Sequence, residues 1–246
     1  MGEGVGWNGE PTGEGGRVRG QGEVFAGGEG DRWFERNRES LDQAEWEARD
    51  PVLKLIALGA ITPGRALEVG AANGRRMAVL RERFGCEATA VDPSQAAIED
   101  GRGRFPEVTF VKGLADSLPL HGGVSFDLVI VHAVFHWIDR RSLLASVAEV
   151  DRVLYDGGYL IIGDFMPSRP QRIRYHHLTD ADVWTFKQDY SKVFTASNLY
   201  ELLAHLPYEA GTGRLCADAE PDRRAGVSLL RKDLARYEVG PNRDAP

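Results

Sequence analysis

The chain has 246 residues, with 30 Lys and Arg against 37 Asp and Glu for a net charge of −7. That is enough for one α/β domain with a sizeable single core, and the acidic balance opposes phosphate backbones, so no nucleic-acid partner is expected. No stretch approaches the ~20 consecutive apolar residues of a membrane span. The first residues lack both regions of a secretory signal, and Cys86 and Cys216 are too few for a disulfide framework. The expectation is a cytoplasmic protein with no membrane partner and two buried thiols.

Twelve of the 29 glycines fall in the first 30 residues with few apolar side chains between them, so residues 1–22 read as a disordered tail. A helical cover is expected over 23–64. Asp31 is a good N-cap for RWFERNRESLDQAEWEA, and Pro51 opens VLKLIALGA at a favourable first-turn position. From residue 65 the chain alternates short apolar runs (ALEV, ATAV, VTFV, FDLVIVHA, YLIIGDF) with helical patterns (RRMAVLRERF, SQAAIEDGRGRF, RRSLLASVAEVDRVL). Runs without polar alternation suit parallel strands buried on both faces, and strand–helix–strand repetition gives right-handed crossovers. The predicted fold is α/β, a doubly wound Rossmann-like seven-stranded sheet over 65–246. An aromatic lid insertion is expected at about 165–204, followed by an antiparallel edge pair formed by YEAGTGRLCA and RAGVSLLRKDL.

The turn ALEVGAANG (66–74) decides between ligands. Gly74 is followed by Arg75 with no Ser or Thr next, which excludes a triphosphate loop, and G-x-x-x-G is not the dinucleotide G-x-G-x-x-G. Glu68 puts negative charge where a pyrophosphate would sit, which argues for a cationic group. S-adenosylmethionine carries an ammonium, a sulfonium and a ribose diol, and Asp92, 22 residues past Gly70, offers a carboxylate for the diol.

In order and spacing, ALEVGAANG, AVDPS, FVKGLADSLPL, FDLVIVHAVFHWID and LYDGGYLIIGDF resemble the class I S-adenosylmethionine-dependent methyltransferases over residues 65–165. The sequence departs from that pattern at Ala72, where a glycine is commonest, and at Leu114, where an acid is frequent. The resemblance implies that Glu68 orients the loop and the ammonium, that Gly70, Ala71 and Gly74 let backbone approach the methionyl group, and that Asp92 binds the ribose. It further implies Pro93 at the adenine edge, a polar contact from Ala115 or Asp116, and His132 against the cofactor. GEGDRWFERN resembles the N-terminal cover of methyltransferases from surface-sugar and natural-product pathways, which implies that Trp33, Arg36 and Asn37 close over the cofactor, Arg36 through the methionyl carboxylate.

Methyl transfer needs a base only if the acceptor must lose a proton. His136 in FHWID is the first candidate, with packing over the adenosyl pocket as its other reading; His176 and His177 in the insertion come next. Adjacent side chains diverge, so the His pair is not taken as a metal site. The expected partner is a small-molecule acceptor bearing a hydroxyl or amino group, a sugar-containing or secondary metabolite; a homodimer is left open. Alternatives are methylation of RNA or protein, or a nicotinamide-dependent oxidoreductase.

Overall fold

A computed structural model describes residues 20–178 and 181–237. Helix comes first: α1 (Gln21–Val24), a wide turn Phe25–Glu29 in which Gly28 takes φ 127°, α2 (Gly30–Leu41), α3 (Trp46–Arg49) and α4 (Pro51–Leu58). Most of the expected tail lies outside the described residues, but its last residues do not match the expectation, because Gln21 opens a helix and is buried. Asp31 sits inside the helical run rather than capping it. Its Oδ1 instead accepts from Ser94 Oγ and Ala96 N, at the start of the helix that follows Asp92. Asp50 does cap α4, accepting from Leu53 N at 2.8 Å.

The alternating region follows as β1 (Arg65–Val69), α5 (Arg75–Phe84), β2 (Glu87–Asp92), α6 (Gln95–Arg104), β3 (Thr109–Lys112), β4 (Phe126–His132), α7 (Leu143–Val153) and β5 (Leu154–Phe165). Beyond it come the hairpin β6 (Gln171–Arg174) and β7 (Trp184–Lys187), then α8 (Ser191–Thr195), β8 (Tyr200–Glu209), β9 (Arg214–Leu215) and β10 (Arg224–Lys232). The main sheet runs β3-β2-β1-β4-β5-β10-β8-β9, parallel from β3 to β5 and antiparallel beyond. It has eight strands rather than seven; the extra one is the two-residue β9.

The edge pair is corrected too. Its inner strand lies where expected, but its outer strand begins at Tyr200, inside the stretch read as lid. Ala204, Leu206 and Tyr208 alternate with the pleat onto one core, a bulge opposite Leu229 and Leu230 shifts the register, and Tyr200 beyond it enters the other core. Cys216, just past β9, is half-buried, whereas Cys86 is buried.

Alternate residues of each central strand feed two cores. Ala66, Leu128, Ile130 and Ile161 pack with α4 and α5, while Leu67, Val129, Val131, Leu160 and Ile162 pack with Val150 and Val153 of α7. Strand order reverses between β1 and β4, opening a crevice at their carboxyl ends. Among the described residues no helix is long and apolar enough to cross a membrane.

Candidate active site

The turn after β1 is held down by backbone and by one carboxylate. Gly70 N and Ala71 N donate to Val91 O at 2.8 and 3.1 Å, while Asp92 accepts from Ala72 N at 2.7 Å and Ser94 N at 2.8 Å. Gly70 takes φ 74°, and a Cβ there would stand 2.3 Å from Val134 Cγ2. Ala72 also lies in the left-handed region, at φ 48°, which costs a residue with a Cβ about 1–2 kcal/mol. The glycine missing from the sequence pattern is therefore missing where the backbone favours one. Burial pushes Asp92 up to about 6; the two amide hydrogen bonds only partly offset it, and the charge of Asp31 adds to it.

Two cavities meet at this turn, sharing Trp33, Gly70 and Ala133. The first, of about 830 Å³, is largely apolar, lined by Val69, Pro93, Leu114, Ala115, Val134 and Trp137 with Asp92, Asp116 and Asp139 as its acids. Phe25 and Trp33 roof it from the N-terminal helices. That roof is anchored: Gln21 Nε2 donates to Trp137 O at 2.6 Å and Trp184 O at 3.0 Å, and Trp184 N donates to Gln21 Oε1 at 2.7 Å. Buried Glu29 completes the anchor, accepting from Arg32, Arg36 and Tyr175.

The second cavity, of about 1440 Å³, sets the charged side chains of Asp50, Glu68, Arg76 and Asp164 among apolar walls. Its floor is a buried ion triad in which Arg76 binds Glu68 Oε1 on one side and Asp50 Oδ2, at 2.7 Å, on the other. Burial raises Asp50, but the charge and hydrogen bonds of Arg76 outweigh it and hold the carboxyl below its usual range. Glu68 Oε2 is buried with no hydrogen-bond partner. Beside the triad, His132 Nε2 is 2.9 Å from Tyr208 Oη and its Nδ1 is 3.5 Å from Arg76 Nη2. Arg76 can only donate, so Nδ1 accepts and Nε2–H donates to the tyrosine. Burial, then the Arg76 charge, lowers His132 to about 4, so the ring is neutral near pH 7.

Of the residues singled out in the sequence, Gly70, Asp92, Pro93, Ala115 and Asp116 line the first cavity, and Glu68, Gly70, Ala71 and His132 line the second, with Trp33 and Asn37 on its wall. Five lie elsewhere. Arg36 is turned away to Glu29 and Tyr175, at 2.5 and 2.6 Å. Gly74 lies under the loop, where a Cβ would stand 2.6 Å from the Phe110 ring. His136 lines neither cavity: it is 3% exposed, packed between Trp137 and Phe165, with Nδ1 2.9 Å from Asp164 Oδ1 but out of line for a hydrogen bond. His176 and His177 are exposed, with ring centroids 4.0 Å apart and tilted at 43°, and line neither cavity. The cation facing Glu68 is Arg76, a partner the charge argument from sequence did not consider. Sequence reading also missed Asp50, Asp164 and Tyr208 in the second cavity. The Arg75–Arg76 pair directly after the loop was the available signal for the first of these, since an arginine entering a core requires a carboxylate.

Residues 67–162 match the methyltransferase domain family. The fold agrees over a much longer span. The Burkholderia thailandensis 1,6-didemethyltoxoflavin-N1-methyltransferase, solved with 1,6-didemethyltoxoflavin and S-adenosylhomocysteine, superposes with a TM-score of 0.66 over 85% of this chain and 88% of that one, at 17% identity. Residues 67–162 are similar to the methyltransferase domain family, and the chain around them has the Rossmann-like fold of these structures. The N-methyltransferase NodS of Bradyrhizobium japonicum WM9, in complex with S-adenosyl-L-homocysteine, matches this methyltransferase fold with a TM-score of 0.56 over 78% of this chain and 90% of its own, at 16% identity. In sequence, an uncharacterized methyltransferase of Mycobacterium tuberculosis H37Rv is 35% identical over 96 residues, 39% of this chain and 37% of that protein. A demethylmenaquinone methyltransferase of Beutenbergia cavernae is 33% identical over 111 residues, 45% of each chain. The matches thus span less than half the length of these relatives.

Proposed function

We propose that the protein transfers a methyl group from S-adenosylmethionine to an amino or hydroxyl group of a small molecule. The observation that carries this reading is Asp92, a buried carboxylate at the carboxyl end of β2, beside the glycine turn and on the wall of an apolar cleft. It suits a ribose diol, with adenine between Pro93 and Ala115 and a polar edge at Asp116. The methionyl end then lies across Gly70 and Ala71 toward Glu68, whose Oε2 has an unused lone pair for an ammonium. The residues present therefore fit this cofactor, which when bound supplies an electrophilic methyl group.

What the chain itself contributes is position. The Gly70 turn and the backbone at Ala133 fix the junction of the two cavities, and Phe25 and Trp33 keep water from it. A small acceptor is supported by this roof, tied to Trp137, Tyr175 and Trp184, which covers one side of the cleft. A nitrogen acceptor suits the second cavity better than an alcohol. His132 has both ring nitrogens engaged, and a neutral amine attacks through its lone pair without a base, whereas an alcohol becomes a comparable nucleophile only as its proton is removed. Calorimetry with S-adenosylmethionine and NAD tests the cofactor: the former binds and the latter does not, and the reverse would refute the reading. Methyl transfer from labelled cofactor into the small-molecule fraction of an extract, rather than into its RNA or protein, tests the acceptor class.

A further inference from the structure

The second cavity holds a fixed hydrogen-bond donor that neither the ion triad nor the glycine turn uses. Tyr208 is 7% exposed and lines that cavity, and among the described residues its hydroxyl has a single hydrogen-bond partner, His132 Nε2 at 2.9 Å. The direction of that bond is set from the other side of the ring. The Arg76 guanidinium at Nδ1 can only donate, and its charge opposes a proton there, so Nδ1 accepts, Nε2–H donates and Tyr208 Oη accepts. The phenolic O–H is thereby left without an acceptor among the described residues. Gly163 makes the arrangement possible. A Cβ there would stand 2.6 Å from His132 Cδ2, so bare backbone lets the ring lie across β5 toward β8. Burial first, then the charge of Asp164, raise the Tyr208 hydroxyl above its usual range, and it keeps its proton at neutral pH. A buried donor without an acceptor costs free energy that a ligand atom placed against it recovers.

We infer that Tyr208 recognises the methyl acceptor, donating to a neutral lone-pair atom, a carbonyl oxygen or a ring nitrogen, that the acceptor carries besides the nitrogen to be methylated. The inference rests on the proposed function and narrows its substrate class. The cofactor's methionyl carboxylate is the competing partner for this donor, and two observations set it aside. Tyr208 stands on β8, four strands along the sheet from Glu68 on β1, and its hydroxyl reaches back only to His132. The charges of Asp164 and Asp50 also act on that hydroxyl, so a further anion is opposed there whereas a neutral atom is not. An acceptor molecule with a carbon at this point would leave the phenol unpaired, and a buried polar group left unpaired is what rejects a near-analogue most strongly. Tyr208 is here a specificity-determining residue, because its hydrogen bond is the same before and after the methyl group moves.

The test uses the small-molecule fraction of an extract as the source of acceptor, S-adenosylmethionine labelled in its methyl group, and S-adenosylhomocysteine as the cofactor probe. In a dilution series of one preparation, Tyr208→Phe should need about tenfold more of the fraction for half-maximal transfer, with the maximal rate within about threefold of wild type. Its Kd for S-adenosylhomocysteine by calorimetry should stay within about twofold of wild type. The labelled product, identified by mass spectrometry, should carry a carbonyl oxygen or a ring nitrogen besides the methylated nitrogen. An unchanged half-saturation, a cofactor Kd weakened as much as the half-saturation, or a product that is a plain alkylamine overturns the inference. Circular dichroism checks the fold of Tyr208→Phe. Should that variant not fold, Tyr208→Gln decides, since its amide both accepts from His132 and donates into the cavity: a half-saturation within about fivefold of wild type upholds the inference and a larger rise overturns it. If the wild-type protein binds no S-adenosylhomocysteine or transfers no label, the proposed function fails and the inference falls with it; if it binds and transfers, the product and the variants judge the inference alone.

Discussion

Asp92 should impose a pH dependence of opposite sign on stability and on cofactor binding. In the folded chain its carboxyl is raised from 3.8 to about 6 because burial disfavours the anion. Between those values the folded state holds a proton that the unfolded state has lost. Stability from this group is therefore complete below the unfolded value and lost as pH rises through the folded one. The difference of about 2.2 units, at about 1.36 kcal/mol each, sets the loss at about 3 kcal/mol by neutral pH. Binding runs the other way, because the anion is the better acceptor for two ribose hydroxyls. With a pKa of about 6, about one tenth of the ligand-free protein is ionised at pH 5, so the Kd for S-adenosylhomocysteine should be about tenfold weaker there than on the plateau above pH 7. Calorimetry across that range reads the slope, and Asp92→Asn should abolish it while weakening plateau binding by about 1.5–3 kcal/mol. A flat wild-type profile, or a slope that survives in Asp92→Asn, would refute the reasoning.

Ala72→Gly should raise thermal stability by up to about 1 kcal/mol, because relief of the left-handed strain exceeds the added chain entropy; a fall in Tm would show that φ 48° costs nothing in this loop. Arg76→Met leaves Asp50 and Glu68 buried without their cation and should cost about 3–5 kcal/mol in urea unfolding, so a loss below about 1 kcal/mol would mean the triad is open to water. Tyr175→Phe removes one donor to Glu29 and loosens the roof, which should quicken dissociation of S-adenosylhomocysteine in stopped flow; an unchanged off-rate would place cofactor exit elsewhere.

The parallel half of the fold was legible because its strands are unbroken apolar runs punctuated by Gly70, Gly85 and Gly157, each of which takes positive φ. The glycine turn and Asp92 were legible for the same local reason, since a βαβ unit fixes their separation. What local pattern could not reveal lay in contacts between distant segments. Asp31 was read as a cap for its own helix, yet its carboxylate serves α6, 63 residues away at Ser94. Arg36 was read as a ligand for the cofactor, but Glu29 competes for it one helical face away. His136 sits at the expected strand end, yet Asp164 and two aromatic rings draw it into the core. Tyr208 reaches His132 only because β10 and β8 add antiparallel to β5, an arrangement hidden by the weak, half-exposed alternation of β8.

A crystal structure with S-adenosylhomocysteine tests the central claim most directly. The account predicts both ribose hydroxyls within about 3 Å of the Asp92 carboxylate, adenine beside Pro93 and Ala115, and the methionyl ammonium at Glu68 Oε2. A ligand seated away from the Gly70 turn, or one whose ribose leaves Asp92 bonded only to Ala72 and Ser94, would contradict it.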